Sequence, residues 1–128
     1  MKNQEIKFKN KDNNYSIIIG KDSIKILPKK IKSLCPKAKN IAFIIDKNVP
    51  KKFKIDLKKK LKNYNLLFLS FSANEKNKSI KIVNYFLNIL LSKKFNRADL
   101  LVGIGGGITG DVSGFVASIF KRGINFFN

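Results

Sequence analysis

The stretch that most constrains the fold lies toward the carboxyl end. It reads Leu101-Val102-Gly103-Ile104-Gly105-Gly106-Gly107-Ile108-Thr109-Gly110-Asp111. The apolar run from Leu100 to Ile104 has the character of a buried strand. Three consecutive glycines follow, then a Gly-Asp step, then a helical pattern from Asp111 to about Phe120. A strand that breaks into glycines and opens a helix is suited to cradle a phosphate. Glycine lets the backbone approach an anion closely and turn sharply. The first helical turn then presents unpaired N–H groups and the positive end of the dipole. Gly105-x-Gly107-x-x-Gly110 fits a G-x-G-x-x-G fingerprint, alone a weak signal. The same glycines also suit a tight strand-to-helix turn with no ligand.

The upstream residues supply a scaffold for such a turn. Ile6 and Phe8 alternate with polar residues, Asp12-Asn13-Asn14 reads as a turn, and Tyr15, Ile17 and Ile19 alternate again before Gly20, which predicts a β-hairpin. Pro28 suits the first turn of a short helix with Leu27, Ile31 and Leu34 on one face. Asn40 to Asp46 is continuously apolar between its ends, as in a parallel strand covered on both faces. Pro50 opens a helix whose Phe53, Leu57 and Leu61 form one buried stripe. Leu66 to Leu69 is the next strand. Ile82, Val83, Phe86, Leu87, Leu90 and Leu91 make an amphipathic helix. In the last helix, Val112, Phe115, Val116 and Ile119 are expected on the packing side, with Gly114 permitting close helix approach. Ile124 to Asn128 starts a further strand, with Phe126 and Phe127 exposed on it as an aggregation-prone edge. The β-α-β-α-β alternation predicts an α/β domain with a Rossmann-like, mainly parallel sheet, flanking helices and an N-terminal β-hairpin.

In such a domain ligands sit at the carboxyl ends of the strands. Asp46, Glu75 and the run Gly105 to Asp111 all fall just past predicted strand ends. These spots take three of the chain's eight acids, which favours one common site. Each residue also has a plainer reading. Asp46 is a helix-start charge and Asn48 a cap; Glu75 and Lys78 are a surface ion pair; Asp111 and Arg122 are charges at the two ends of a helix dipole.

Composition narrows the function classes. Lys and Arg outnumber Asp and Glu by 27 to 8, a formal charge of +19. Only Arg97 and Arg122 are arginines, and the lysines are spread along the chain. Nucleic-acid readers favour arginine forks, so specific nucleic-acid binding is not expected. The single cysteine, Cys35, excludes an internal disulfide and fits a reducing, cytoplasmic setting. No apolar run reaches the ~18 residues of a membrane span, and Met1 to Glu5 lacks a signal-peptide core. Histidine is absent, so no zinc site can be made from His and Cys.

The longer pattern is sharper than the fingerprint. Gly105-Gly106-Gly107-x-x-Gly110-Asp111-x-x-Gly114-Phe115-Val116-Ala117, followed by Arg122-Gly123, resembles 3-dehydroquinate synthase, the NAD-dependent cyclase of the shikimate pathway. Tyr15-Ser16-Ile17-Ile18-Ile19-Gly20 is similar to the family's opening strand. Asn74-Glu75-x-x-Lys78 departs from its Gly-Glu-x-x-Lys motif at Asn74; a left-handed backbone there would preserve the loop. The resemblance covers essentially the whole chain and the front part of the family's.

It implies an incomplete NAD-binding domain over residues 1–128, the family's C-terminal helical domain being absent. It implies cofactor contacts from Asp46, Asn48, Glu75, Lys78, Gly105, Gly106, Gly107, Ile108, Thr109, Gly110 and Asp111. Arg122 would hold the substrate's phosphate, reaching into the partner subunit's site of a homodimer. The family converts 3-deoxy-D-arabino-heptulosonate 7-phosphate, a phosphorylated sugar acid, to 3-dehydroquinate and phosphate, using NAD and a divalent metal, Zn or Co. No catalytic residue or metal ligand of the family falls in this chain, so the 128 residues alone are expected to be inactive. The competing readings are a fragment of another sugar phosphate cyclase or of a glycerol-dehydrogenase-like NAD enzyme, and a basic nucleotide- or nucleic-acid-binding domain.

Overall fold

A computed structural model describes residues 2–128. The chain divides into two compact units, Met1–Leu34 and Cys35–Asn128. In the first, β1 (Gln4–Lys9) and β2 (Asn14–Ile19) pair antiparallel, with Ile6 opposite Ile17 and Phe8 opposite Tyr15. The connecting turn starts earlier than the expected Asp12. The Asn10 side-chain oxygen accepts the N–H groups of Asp12 at 2.9 Å and Asn13 at 2.7 Å, and so closes the loop. A 3-10 turn, Ser23–Ile26, leads into α1 (Leu27–Leu34). Ile31 is buried, but Leu34 is 61% exposed: it is the last residue of an eight-residue helix, outside the expected stripe.

The second unit begins with β3 (Asn40–Asp46), whose five central residues are all buried. It continues through α2 (Lys51–Lys60), β4 (Asn65–Phe71), a 3-10 turn at Glu75–Asn77, α3 (Ile80–Ser92), β5 (Leu100–Ile104), α4 (Gly107–Ile119), a second 3-10 turn at Phe120–Arg122, and β6 (Asn125–Phe127). The four strands form one parallel sheet in the order β4-β3-β5-β6. Ala42 and Ile44 of β3 and Leu101 of β5 join Phe86, Leu90, Val112 and Val116 of α3 and α4 in the main core. Phe43 stacks on Phe68 of β4, and Lys54 and Lys58 of α2 lie over the Phe68 ring. The sheet is thus covered on both faces, which is why β3 carries no polar alternation.

α4 departs from expectation at both its start and its packing face. It begins at Gly107, four residues before Asp111. Its buried residues are Thr109, Val112, Ser113, Val116 and Ala117, while Phe115 and Ile119 are 46% and 45% exposed. Glycines on the strand cause the rotation. A Cβ on Gly103 would lie 2.9 Å from the Ser113 side chain, and one on Gly105 would lie 2.5 Å from Thr109 Oγ1. The helix therefore beds its small polar residues into the glycine gaps at Gly103 in β5 and at Gly105 just past it. Gly114 faces no helix; the nearest atoms belong to the Phe126 ring, at 3.4 Å from its Cβ position. Phe126 and Phe127 are half-buried, and Phe126 packs against the core, so the last strand is better covered than its sequence suggests.

A polar seam closes the amino ends of the strands. Asp99 is 1% exposed. Its carboxylate accepts hydrogen bonds from the backbone N–H groups of Lys39, Asn40 and Asn96 and from the Asn40 amide, at 3.0–3.1 Å. Burial alone would push its pKa up; these four bonds outweigh burial and hold it below the ordinary carboxylate value. The Asn65 amide donates to Asn40, and Asn125 donates to the carbonyl of Asp99.

Candidate functional site

The strand order decides where a site can form. From β3 the chain moves outward to β4, then returns to the other side of β3 for β5. The reversal opens a crevice between the carboxyl ends of β3 and β5, where open α/β sheets take ligands. Asp46 ends β3 and Gly105 follows β5. They meet: a Cβ on Gly105 would lie 3.0 Å from Cβ of Asp46.

The four glycines do two different jobs. Gly105 and Gly110 serve packing: the first lies against Thr109 and Asp46, the second has the Asn128 amide 2.9 Å from its Cβ position. Gly106 and Gly107 have no atom within 4 Å of theirs, so their backbone faces open space. Gly106 is the N-cap of α4 without a side-chain cap, and its carbonyl accepts the first helical bond, from Gly110 at 3.0 Å. The N–H groups of Gly107, Ile108 and Thr109 therefore have no intrahelical acceptor. The Thr109 hydroxyl is fully buried and has no hydrogen-bond partner, as has that of Ser113. Both lie in the crease between α4 and β5.

Asp46 is half-buried, and its Oδ1 accepts the Asn48 N–H at 3.0 Å. Asn48 itself is exposed and caps nothing; Pro50 stands at the N-cap of α2 with no side-chain cap. The loop after β4 brings in Lys78, whose Nζ lies 2.9 Å from Asp111 Oδ2. The expected Glu75–Lys78 pair is thus replaced by Lys78–Asp111, because the 3-10 turn carries the lysine toward α4. The hydrogen bond to Asp111 raises the pKa of Lys78 above its ordinary value. Asp111 is the fifth residue of α4, beyond the reach of the dipole, so this ion pair replaces its helix-start role. Glu75 is exposed at the head of its 3-10 turn. Asn74 is extended, at φ −142° and ψ 165°, and its side chain accepts the Asn77 N–H; the loop uses a cap, with no left-handed residue.

Arg122 stands apart. It is exposed at the far end of α4, roughly 20 Å from the cradle at 1.5 Å per residue. Lys121 and Arg122 both take positive φ, 46° and 65°, before Gly123 at 118°. Two consecutive left-handed non-glycine residues form a strained corner. Asn128, whose amide borders Gly103 and Gly110, is the residue near the cradle that sequence patterning missed. Nothing local marks it: it is one polar residue past a short strand.

The fold matches solved structures closely. Against 2-deoxy-scyllo-inosose synthase the TM-score is 0.78 at 23% identity, over 98% of this chain and 35% of that one. A 2-epi-5-epi-valiolone synthase from Streptomyces hygroscopicus, solved with NAD+ and Zn2+ bound, gives 0.59 at 20% identity over 73% of this chain and 27% of that one. The architecture is thus a Rossmann-like domain with the same fold as part of these two synthases. In sequence, the 3-dehydroquinate synthase of Pelagibacter ubique is 46% identical over 124 residues, and that of Streptococcus thermophilus 37% over 118. A family model described as 3-dehydroquinate synthase N-terminal matches residues 68–128. The chain is thus similar in sequence to the amino-terminal part of 3-dehydroquinate synthases. It spans about a third of the length of these relatives, 34% and 33%, while they cover 97% and 91% of it.

Proposed function

We propose that this chain forms the amino-terminal, NAD-binding part of a 3-dehydroquinate synthase. The observation that carries the reading is the open backbone of Gly106 and Gly107 at the switch point, beside Asp46 and above the unpartnered Thr109 hydroxyl. A pyrophosphate fits that place chemically: free N–H groups, no side chains in the way, and a positive helix end. Asp46 would accept from a ribose diol, with Asn48 beside it. Glu75, Lys78 and Asp111 would line the outer side, Ile108 and Thr109 would offer backbone donors with Gly107, and Gly110 would keep the helix start close to the ligand without a side chain. Bound NAD supplies transient hydride acceptance from the substrate's ring alcohol. The chain's own residues orient the dinucleotide and keep its phosphates compensated.

The family's divalent metal does not fit these residues. The sequence has no histidine and one cysteine, and among the described residues no group of three His, Cys, Asp or Glu side chains could hold an ion. Metal chemistry on the sugar phosphate would need groups from elsewhere. Arg122 lies too far along α4 to serve the cradle of its own chain, which supports a role at a second subunit's site, where its guanidinium would fork a substrate phosphate.

Titration of this chain with NAD+ by calorimetry tests the reading, with Gly106→Val beside it. The variant should keep its denaturation midpoint, because the Cβ position is open, and lose NAD+ binding. Equal affinity in the two proteins would remove the cradle assignment. With the heptulosonate phosphate, NAD+ and Co2+, the 128 residues should release no phosphate.

A further inference from the structure

We infer that the uncharged face of the β1–β2 hairpin is a contact surface for a second copy of this chain. That face belongs to the first unit and takes nothing from the cradle of the second. The register sorts the ribbon into two faces. Gln4 opposite Ile19, Ile6 opposite Ile17 and Phe8 opposite Tyr15 make the front. Glu5 opposite Ile18, Lys7 opposite Ser16 and Lys9 opposite Asn14 make the back. Side chains alternate between the two faces of a strand, so this sorting follows from the pairing alone. An antiparallel sheet ordinarily turns its apolar face inward. Here the order is reversed within the hairpin's own unit. The back meets α1: Lys30 Nζ lies 2.9 Å from Glu5 Oε1, and Glu5 and Ile18 line one cavity with Ile26 and Lys30. Ser16 and Ile18 are half-buried, while Ile6, Phe8, Tyr15, Ile17 and Ile19 on the front stay 42–53% exposed.

Charge and area choose the occupant. Lys or Arg fills 27 of the 128 positions, yet the six front positions hold no charge. Interface centres are poor in charge, rich in aromatics and rimmed by polar groups. Phe8 and Tyr15 stack with their ring centroids 4.9 Å apart and form an aromatic end. Ile6, Ile17 and Ile19 continue the face as an aliphatic end. A face without charge offers an acidic partner nothing to pair with. A twofold axis at the Ile6–Ile17 pair lays the aromatic end of one copy over Gln4 and Ile19 of the other, so the patch complements itself. The five exposed side chains leave on the order of 500 Å² per copy, hence on the order of 1,000 Å² in a face-to-face pair, where specific interfaces begin. The second ribbon also supplies the layer that a lone two-stranded sheet lacks. The lysines stand off the front face, so screening their repulsion should tighten the contact.

The test is sedimentation velocity on this chain over an about hundredfold range of concentration, at low salt and at about 0.5 M sodium chloride. A monomer–dimer equilibrium should appear and should tighten with salt. Ile17→Lys puts a charge at the centre of the contact in both copies and should raise the dissociation constant about tenfold or more. Ile17 is exposed, so the variant should keep its circular dichroism. Lys9→Gln, on the back, should leave the equilibrium within about twofold of the unaltered chain. Amide exchange gives a readout that needs no substitution. Protection of β1 and β2 should rise with concentration of the unaltered chain while that of β3 stays level. A chain that stays monomeric under all these conditions would overturn the inference. So would a dimer that Ile17→Lys leaves intact, a dimer that salt dissolves, or hairpin protection that ignores concentration.

Discussion

Asp99 shows how much one residue can hold. Its buried carboxylate accepts four hydrogen bonds that tie the start of β5 to the start of β3. Asp99→Asn should cost about 1–3 kcal/mol, because an amide cannot accept from all four donors. The pH dependence has a definite sign. A carboxyl whose pKa is lowered on folding stabilises the protein above its ordinary value, and that stability is lost as pH falls through the folded value. Burial works against this and the hydrogen bonds prevail. Acid unfolding of the unaltered chain should therefore contain a component that Asp99→Asn lacks, readable by circular dichroism across the acid range. Gly105 is the second such residue. An added methyl would meet the buried Thr109 at 2.5–2.8 Å and Asp46 at 3.0 Å. Neither neighbour can swing away, so Gly105→Ala should destabilise by about 1–3 kcal/mol in urea. A midpoint as high as that of the unaltered chain would mean the crevice opens more easily than the packing implies.

Among the elements, β3 and the β1–β2 hairpin are opposites. β3 is central, parallel on both sides and buried on both faces. The hairpin is two-stranded, and the apolar residues on its Ile6, Phe8, Tyr15 and Ile17 face are each about half exposed. Isolated two-stranded ribbons are marginal in water. Amide hydrogen exchange should separate them: β1 and β2 should exchange well before β3 and β5, which report opening closer to the global one. Equal protection would show that the hairpin shares the stability of the sheet. α4 teaches a related lesson. Its apolar residues alone suggest a face through Phe115 and Ile119, yet Gly103 in β5 and Gly105 just past it select Ser113 and Thr109.

At the scale of the molecule, charge is the dominant fact. A formal +19 on 14.5 kDa repels itself in the compact state. Only three ion pairs form among the described residues, at Lys25–Asp22, Lys30–Glu5 and Lys78–Asp111. The denaturation midpoint should rise from low salt to about 0.5 M sodium chloride as the repulsion is screened. A midpoint that stays level or falls would show that the lysines are too far apart to matter. No helix among the described residues is long and apolar enough to cross a membrane.

The amino-acid sequence by itself determined the order of the main elements, the continuous burial of β3, the bounds of β5 and the glycine turn between β5 and a helix, though not where that helix begins. These follow from local rules: apolar period, turn residues and glycine's missing Cβ. Family resemblance was legible too, because its motif is contiguous from Gly105 to Arg122. Only the tertiary structure decided which glycines face open space and which face a neighbour, since that depends on Thr109, Asp46 and Asn128 arriving from other elements. The partner of Lys78 was equally hidden. Two residues 33 apart meet because the sheet order folds the loop after β4 toward α4, and no spacing along the chain encodes that contact.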